Sequence, residues 1–139
     1  GYDNRIYDTD PVAVDTALGR AVVVSGTNGQ GTAQIIDLAT RRMLRTMHMD
    51  VQPTAVQIDP ALHRAYVLDF GSCIVNILDL RSDKQVATVA VGLRSTGLAV
   101  NTATGKVFVS SPHAPTSHVL IFPANIVAHQ SGCWSPVDR

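Results

Sequence analysis

Apolar residues in this chain come in short runs, and each run ends at a cluster of Gly, Pro, Asn, Asp or Ser. The runs are rich in Val, Ile and Thr, a pattern that predicts β-strands separated by tight turns. Nothing keeps a 3.6-residue period over ten positions, so no amphipathic helix is expected. Two runs, "RAVVV" at 20–24 and "RAYVL" at 64–68, are apolar at consecutive positions. A strand with one wet face would alternate, so these are expected to be covered on both sides. By contrast "MLRTMHM" at 43–49 carries Arg45 and His48 and reads as an outer, wetter strand. Within it Met47 and Met49 share one face and His48 takes the other.

The runs repeat. "AVDTALGRAVV" at 13–23 returns as "QIDPALHRAYV" at 57–67 and as "AVNTATGKVFV" at 99–109. Pro11, Pro53 and Ser95 fall 42 residues apart, as do "IIDLA" at 35–39, "ILDLR" at 77–81 and, more weakly, "VLIFP" at 119–123. Asp59 to Asn101 is again 42, but Asp15 to Asp59 is 44, because the loop "SGTNGQG" at 25–31 is longer than its counterpart "DFGS" at 69–72. The second unit divides into four pieces at 54–59, 64–70, 73–80 and 85–91. Four short strands in about 40–45 residues is the period of a propeller blade. The expected fold is therefore all-β: about three four-stranded antiparallel units of 42-residue period, forming an incomplete β-propeller.

The pattern "P-x-A-V-x-D-x-A-x-G-R-x-V-V-V … I-I-D-L-A-T" resembles the YVTN-type β-propeller repeat over residues 11–123. The tetrapeptide itself is replaced by "VVVS" (22–25), "YVLD" (66–69) and "FVSS" (108–111). The resemblance implies a propeller fold and an extracytoplasmic setting (periplasmic, cell surface or secreted), and it carries over no catalytic residue. In this frame residues 11–52 and 53–94 are whole blades and 95–123 is a partial one. Residues 1–10 stand where the outer strand of a preceding blade would lie, and 124–139 form an irregular tail. Three blades are too few to close a ring, since closed propellers have about four to eight. Open blade faces and edges invite association. Completion is expected from a second copy, giving a six-bladed homo-oligomeric ring, from another chain, or from further sequence.

Composition narrows the function classes. The 11 basic and 11 acidic residues cancel, which leaves no electrostatic footprint for nucleic acid. No apolar run reaches the length of a membrane span. Cys73 and Cys133 could pair in an oxidising compartment or stay free. No C-x-x-C pair and no G-x-S-x-G frame occurs, and the Gly-rich "TNGQG" at 27–31 lacks both the Lys and the helix of a phosphate loop.

The loops at one mouth of a propeller channel offer the candidate ligand-binding set: Asp10, Gln52 and Arg94 at equivalent positions, with Asp50, Asp69 and His113 beside them. Mixed acidic, basic and imidazole groups around one opening suit a small polar ligand or acid–base chemistry. Turns also favour these residue types for their own sake. Asp37 and Asp79 occupy one repeat position at strand ends and are expected to cap their own turns. His113, His118, His129 and Cys133 match no metal-ligand spacing, and neither a metal nor a cofactor is assigned. Trp134, the single tryptophan, is expected to pack the tail across an exposed blade edge. The function expected is a binding or scaffold module presenting loops to a protein, glycan or surface partner. The alternative is part of a propeller enzyme (lyase, hydrolase or redox-associated) with a polar site at the channel mouth.

Overall fold

The computed structural model describes residues 11–27, 30–113 and 116–135. The expected strand at 1–10, with Asp10, lies outside the described residues. Among the described residues eleven strands follow one another with no helix between them. β1 (Val12–Asp15), β2 (Arg20–Thr27), β3 (Gln30–Asp37) and β4 (Met43–Met49) form the first antiparallel sheet in chain order. β5 (Pro53–Asp59), β6 (Arg64–Asp69), β7 (Ile74–Asp79) and β8 (Lys84–Ala90) form the second in the same way. β9 (Gly97–Asn101), β10 (Lys106–His113) and β11 (Thr116–Pro123) form a third of three strands. The pairing frame slips between Ile35 and Ile36 in the first sheet and between Ile77 and Leu78 in the second. Leu44 and Val86 are the residues passed over, 42 apart, so the repeat extends to a bulge that bends each outer strand.

The sheets stack, and the two-faced strands explain how. β6 sends Ala65 and Val67 into a core shared with Val22, Val24, Ala33, Ile35, Met47 and Met49 of the first sheet. It sends Tyr66 and Leu68 the other way, into a core shared with Val107, Val109 and Phe122 of the third. β7 divides likewise, with Leu78 in the first core and Val75 and Ile77 in the second. Each fully buried Val, Leu or Ile among them contributes roughly 1.5–3 kcal/mol relative to exposure. Met47 and Met49 are buried and His48 is exposed, as the strand period requires.

Polar links reinforce the stacking. Arg20 pairs with Asp37 at 3.0 Å and reaches Asp83 of the second sheet at 3.7 Å. The Tyr66 hydroxyl donates to the Ala124 carbonyl at 2.7 Å, and Arg64 to the Ile126 carbonyl at 2.8 Å. Burial pushes the Tyr66 phenol up, with the charge of Asp59 adding to it.

The described part of the tail, to residue 135, supplies no fourth strand to the third sheet. Pro123 ends β11, and the chain turns back along β8 instead. Thr88 takes the Ala128 carbonyl at 2.8 Å and returns its own to Gln130 at 3.0 Å, while Trp134 donates to Val91 at 2.8 Å. Parallel bridges join Thr88 to His129 and Gly92 to Trp134. A disulfide between Cys73 and Cys133, with Cα atoms 5.0 Å apart, fixes this arrangement. The outer edges of the stack remain apolar: Val12 (59% exposed) and Val14 (47%) on the first sheet, Val119 (59%) and Ile121 (56%) on the third. Among the described residues no helix is long and apolar enough to cross a membrane.

Candidate functional site

Asp50 and Gln52 lie on the loop between β4 and β5, and Asp69 ends β6 beside the turn that leads to β7. Asp69 brings these two loops together. Its side chain is fully buried, and four backbone N–H groups donate to it. Val51 donates to Oδ2 at 2.9 Å, and Gln52, Gly71 and Ser72 donate to Oδ1 at 3.1, 3.0 and 3.2 Å. The Phe70 N–H returns to the Gln52 carbonyl at 2.9 Å. The Ser72 hydroxyl reaches Asp50, 3.3 Å away, on the exposed side of the same corner. Asp69 thus shapes the loop, while the side chains of Asp50 and Gln52 face outward.

Arg94 lies on the next loop of this kind, between β8 and β9, exposed and in the left-handed region at φ 59°. There the counterpart of Asp69 is Ser111, buried against Gly92. His113 ends β10, and its side chain lies outside the described part of the structure. Asp50, Gln52 and Asp69 are therefore gathered into one corner, with Arg94 on the neighbouring loop.

The other histidines go elsewhere. His118 is half-buried with its imidazole edge on the Trp134 ring, centroids 6.1 Å apart. Trp134 thereby ties the tail to both β8 and β11. Among the described residues no three His, Cys, Asp or Glu side chains converge on a point where a metal ion could sit. Asp37 and Asp79 cap their turns as expected, through Thr40 and Ser82, each hydroxyl donating at 2.6 Å. The Thr40 hydroxyl, then its N–H and the Arg20 guanidinium, hold the Asp37 carboxyl below its ordinary range.

The opposite end of the sheets carries a contact that sequence reasoning missed. Asp15, at the end of β1, is fully buried and meets His63 Nδ1 of the β5–β6 turn at 2.6 Å. Burial alone would raise the Asp15 carboxyl. The His63 bond and the Leu18 N–H at 3.0 Å outweigh it and hold the group below its usual 3.8. His63 stands in the left-handed region at φ 55°, where its repeat counterparts are Gly19 and Gly105. His63→Gly removes the bond but also the backbone strain, so about 1 kcal/mol of net destabilisation is expected at pH 7. Because the folded-state value of Asp15 is depressed, its contribution is full above pH 3.8 and fades as the pH falls through the folded value. Urea titrations of both proteins at pH 7 and pH 3 should show their difference shrinking at the lower pH.

Several solved structures resemble this fold. Hydrazine synthase of Kuenenia stuttgartiensis matches 94% of this chain with a TM-score of 0.72 and 14% identity, over 38% of its own length. The β-propeller domain of Cps50 (Swd1) from Myceliophteria thermophila matches 86% at 0.59 and 15%, over 40% of its length. The chain is a stack of β-propeller blades. A eukaryotic initiation factor shares the blade arrangement over 88% of the chain, with a TM-score of 0.62 and 13% identity, across 32% of its length. The blades thus span two fifths or less of each of these proteins. No protein-family model and no curated protein sequence matches the chain.

Proposed function

We propose that the chain is a segment of an extracytoplasmic propeller of YVTN type that acts as a binding or scaffold module. It presents the corner of Asp50 and Gln52, with Arg94 on the neighbouring loop, to a protein, glycan or surface partner. The observation that carries this reading is the state of Asp69. The one buried carboxylate of that corner accepts four backbone N–H groups, which makes it a loop former instead of a proton carrier. The polar side chains that remain sit outside on loops braced by it, a geometry suited to presentation. The disulfide supports an oxidising compartment.

An array of glycans and surface polymers probed with the wild type and with Asp50→Ala/Gln52→Ala/Arg94→Ala tests this. Binding that the triple variant loses at unchanged melting temperature is the expected result. Binding that survives would place the surface elsewhere, and turnover of an arrayed polymer that the variant abolishes would make the chain part of an enzyme.

The same reading includes completion of the ring. Val12 and Val14 at one end and Val119 and Ile121 at the other are the faces on which further blades would stack. Light scattering coupled to size exclusion should give a species of twice 14.8 kDa if a second copy closes the ring, and a shift to monomer on Val119→Asp/Ile121→Asp. A stable monomer of the wild type would overturn closure by a second copy.

A further inference from the structure

The inter-blade contact between His63 and Asp15 has a counterpart with its donor missing. The turns between first and second strands each begin with an acid or amide: Asp15, Asp59 and Asn101. Each also holds a left-handed residue four positions on: Gly19 at φ 76°, His63 at φ 55° and Gly105 at φ 68°. At the first junction, between blades 1 and 2, His63 fills the space beside Asp15. At the second, Asp59 takes the place of Asp15, and Gly105 takes the place of His63.

Asp59 is 1% exposed. Its Oδ1 accepts the Ala61 N–H at 2.9 Å, the single hydrogen bond this carboxylate receives from a described residue. Asp59 and Gly105 both line a cleft of about 360 Å³, with Leu62, Thr102, Thr104, Lys106 and Asn125 among its other walls. A Cβ built on Gly105 meets nothing within 4 Å. A buried carboxylate with unused acceptor capacity is costly unless an N–H or O–H donor reaches it.

We propose that this cleft binds a compact organic cation, an imidazolium or primary ammonium, whose N–H groups donate to Asp59 as His63 donates to Asp15. The first junction shows that a five-membered ring fits against such a turn while its nitrogen reaches the acid. Leu62 offers the ring an apolar wall, and Thr102, Thr104 and Asn125 supply polar partners at the opening. Lys106, exposed at the rim, disfavours a bare dication and favours a ligand that also carries an acceptor facing outward.

Imidazole and ethanolamine are the probes, titrated at pH 6 into the 15N-labelled protein and followed at the amides of Thr104, Gly105 and Ala61. Saturable shifts at these amides are expected for both probes at millimolar concentration. Asp59→Asn, which keeps the shape and removes the charge, should weaken binding at least tenfold. Gly105→His should fill the cleft from within, as His63 does at the first junction. It should abolish the shifts and raise the melting temperature. Shifts that survive either substitution, or no saturable shift in the wild type up to 50-fold above about 1 mM, would overturn the assignment. Asp50→Ala/Gln52→Ala/Arg94→Ala should leave these shifts unchanged, which separates this site from the loop surface at the opposite end.

Discussion

Reducing the Cys73–Cys133 disulfide will lower the melting temperature by on the order of 10 °C and release the tail from β8. The bond closes a loop with a sequence separation of 60, which on a chain-entropy account stabilises the fold by about 4 kcal/mol. For a domain of this size each kcal/mol moves the midpoint by roughly 2–8 °C. The loop also contains most of what the tail does. Thr88, Gln130 and Trp134 make backbone bonds across the blade edge, and the Gln130 side chain accepts the Ala90 N–H at 2.9 Å. These bonds join one strand edge to an irregular segment with few apolar contacts, so without the staple they compete poorly with water.

Cys73 is 1% exposed, but Cys133 lies on the exposed tail, so a small reductant has access. Calorimetry with and without reductant, and of Cys133→Ser, should give the same lowered midpoint. Amide exchange at Thr88 and Ala90 should accelerate in both. An unchanged midpoint would mean that the tail is no part of the cooperative unit.

The tail also shows where sequence reasoning stops. Blades were legible because each repeats the same alternation of strand and turn, and a repeat confirms its own frame. β6, like β2, is apolar at consecutive positions, the pattern of a strand covered on both faces, and β6 does have a sheet on either side. The turn roles of Asp37 and Asp79 followed from their equivalent places. The tail has no period, and two cysteines do not announce whether they pair. Its choice of the β8 edge over the β11 edge depends on Pro123 and on contacts that Gln130 and Trp134 make far from their sequence neighbours. The His63–Asp15 contact was hidden for a related reason. It joins two turns that the repeat makes equivalent, and the repeat says what each turn is without saying that adjacent turns touch. It was the departure from glycine at His63 that carried the signal.

Asp69→Ala will destabilise the protein by about 3–5 kcal/mol, as expected when a buried, hydrogen-bonded charge is removed from its donors. The N–H groups of Val51, Gln52, Gly71 and Ser72 all lose their acceptor at once, and the loops that carry them lose the group that fixes their spacing. Asp69→Asn separates the two oxygens. The amide can keep its oxygen toward Gln52, Gly71 and Ser72, but its NH2 then faces the Val51 N–H, a donor against a donor, and a loss of about 2 kcal/mol is expected. Asp69→Ser restores the residue type that the repeat has at Ser25 and Ser111, yet a single hydroxyl cannot serve four donors spread over two loops. It should fall between the other two. Urea titrations should show the midpoint falling in the order Asn, Ser, Ala with an unchanged slope. The same series distinguishes the two roles open to this residue. A reacting carboxylate would give an asparagine variant that is inactive and as stable as the wild type. A carboxylate that shapes its loops gives one that is less stable, with the presentation of Asp50 and Gln52 disturbed in proportion.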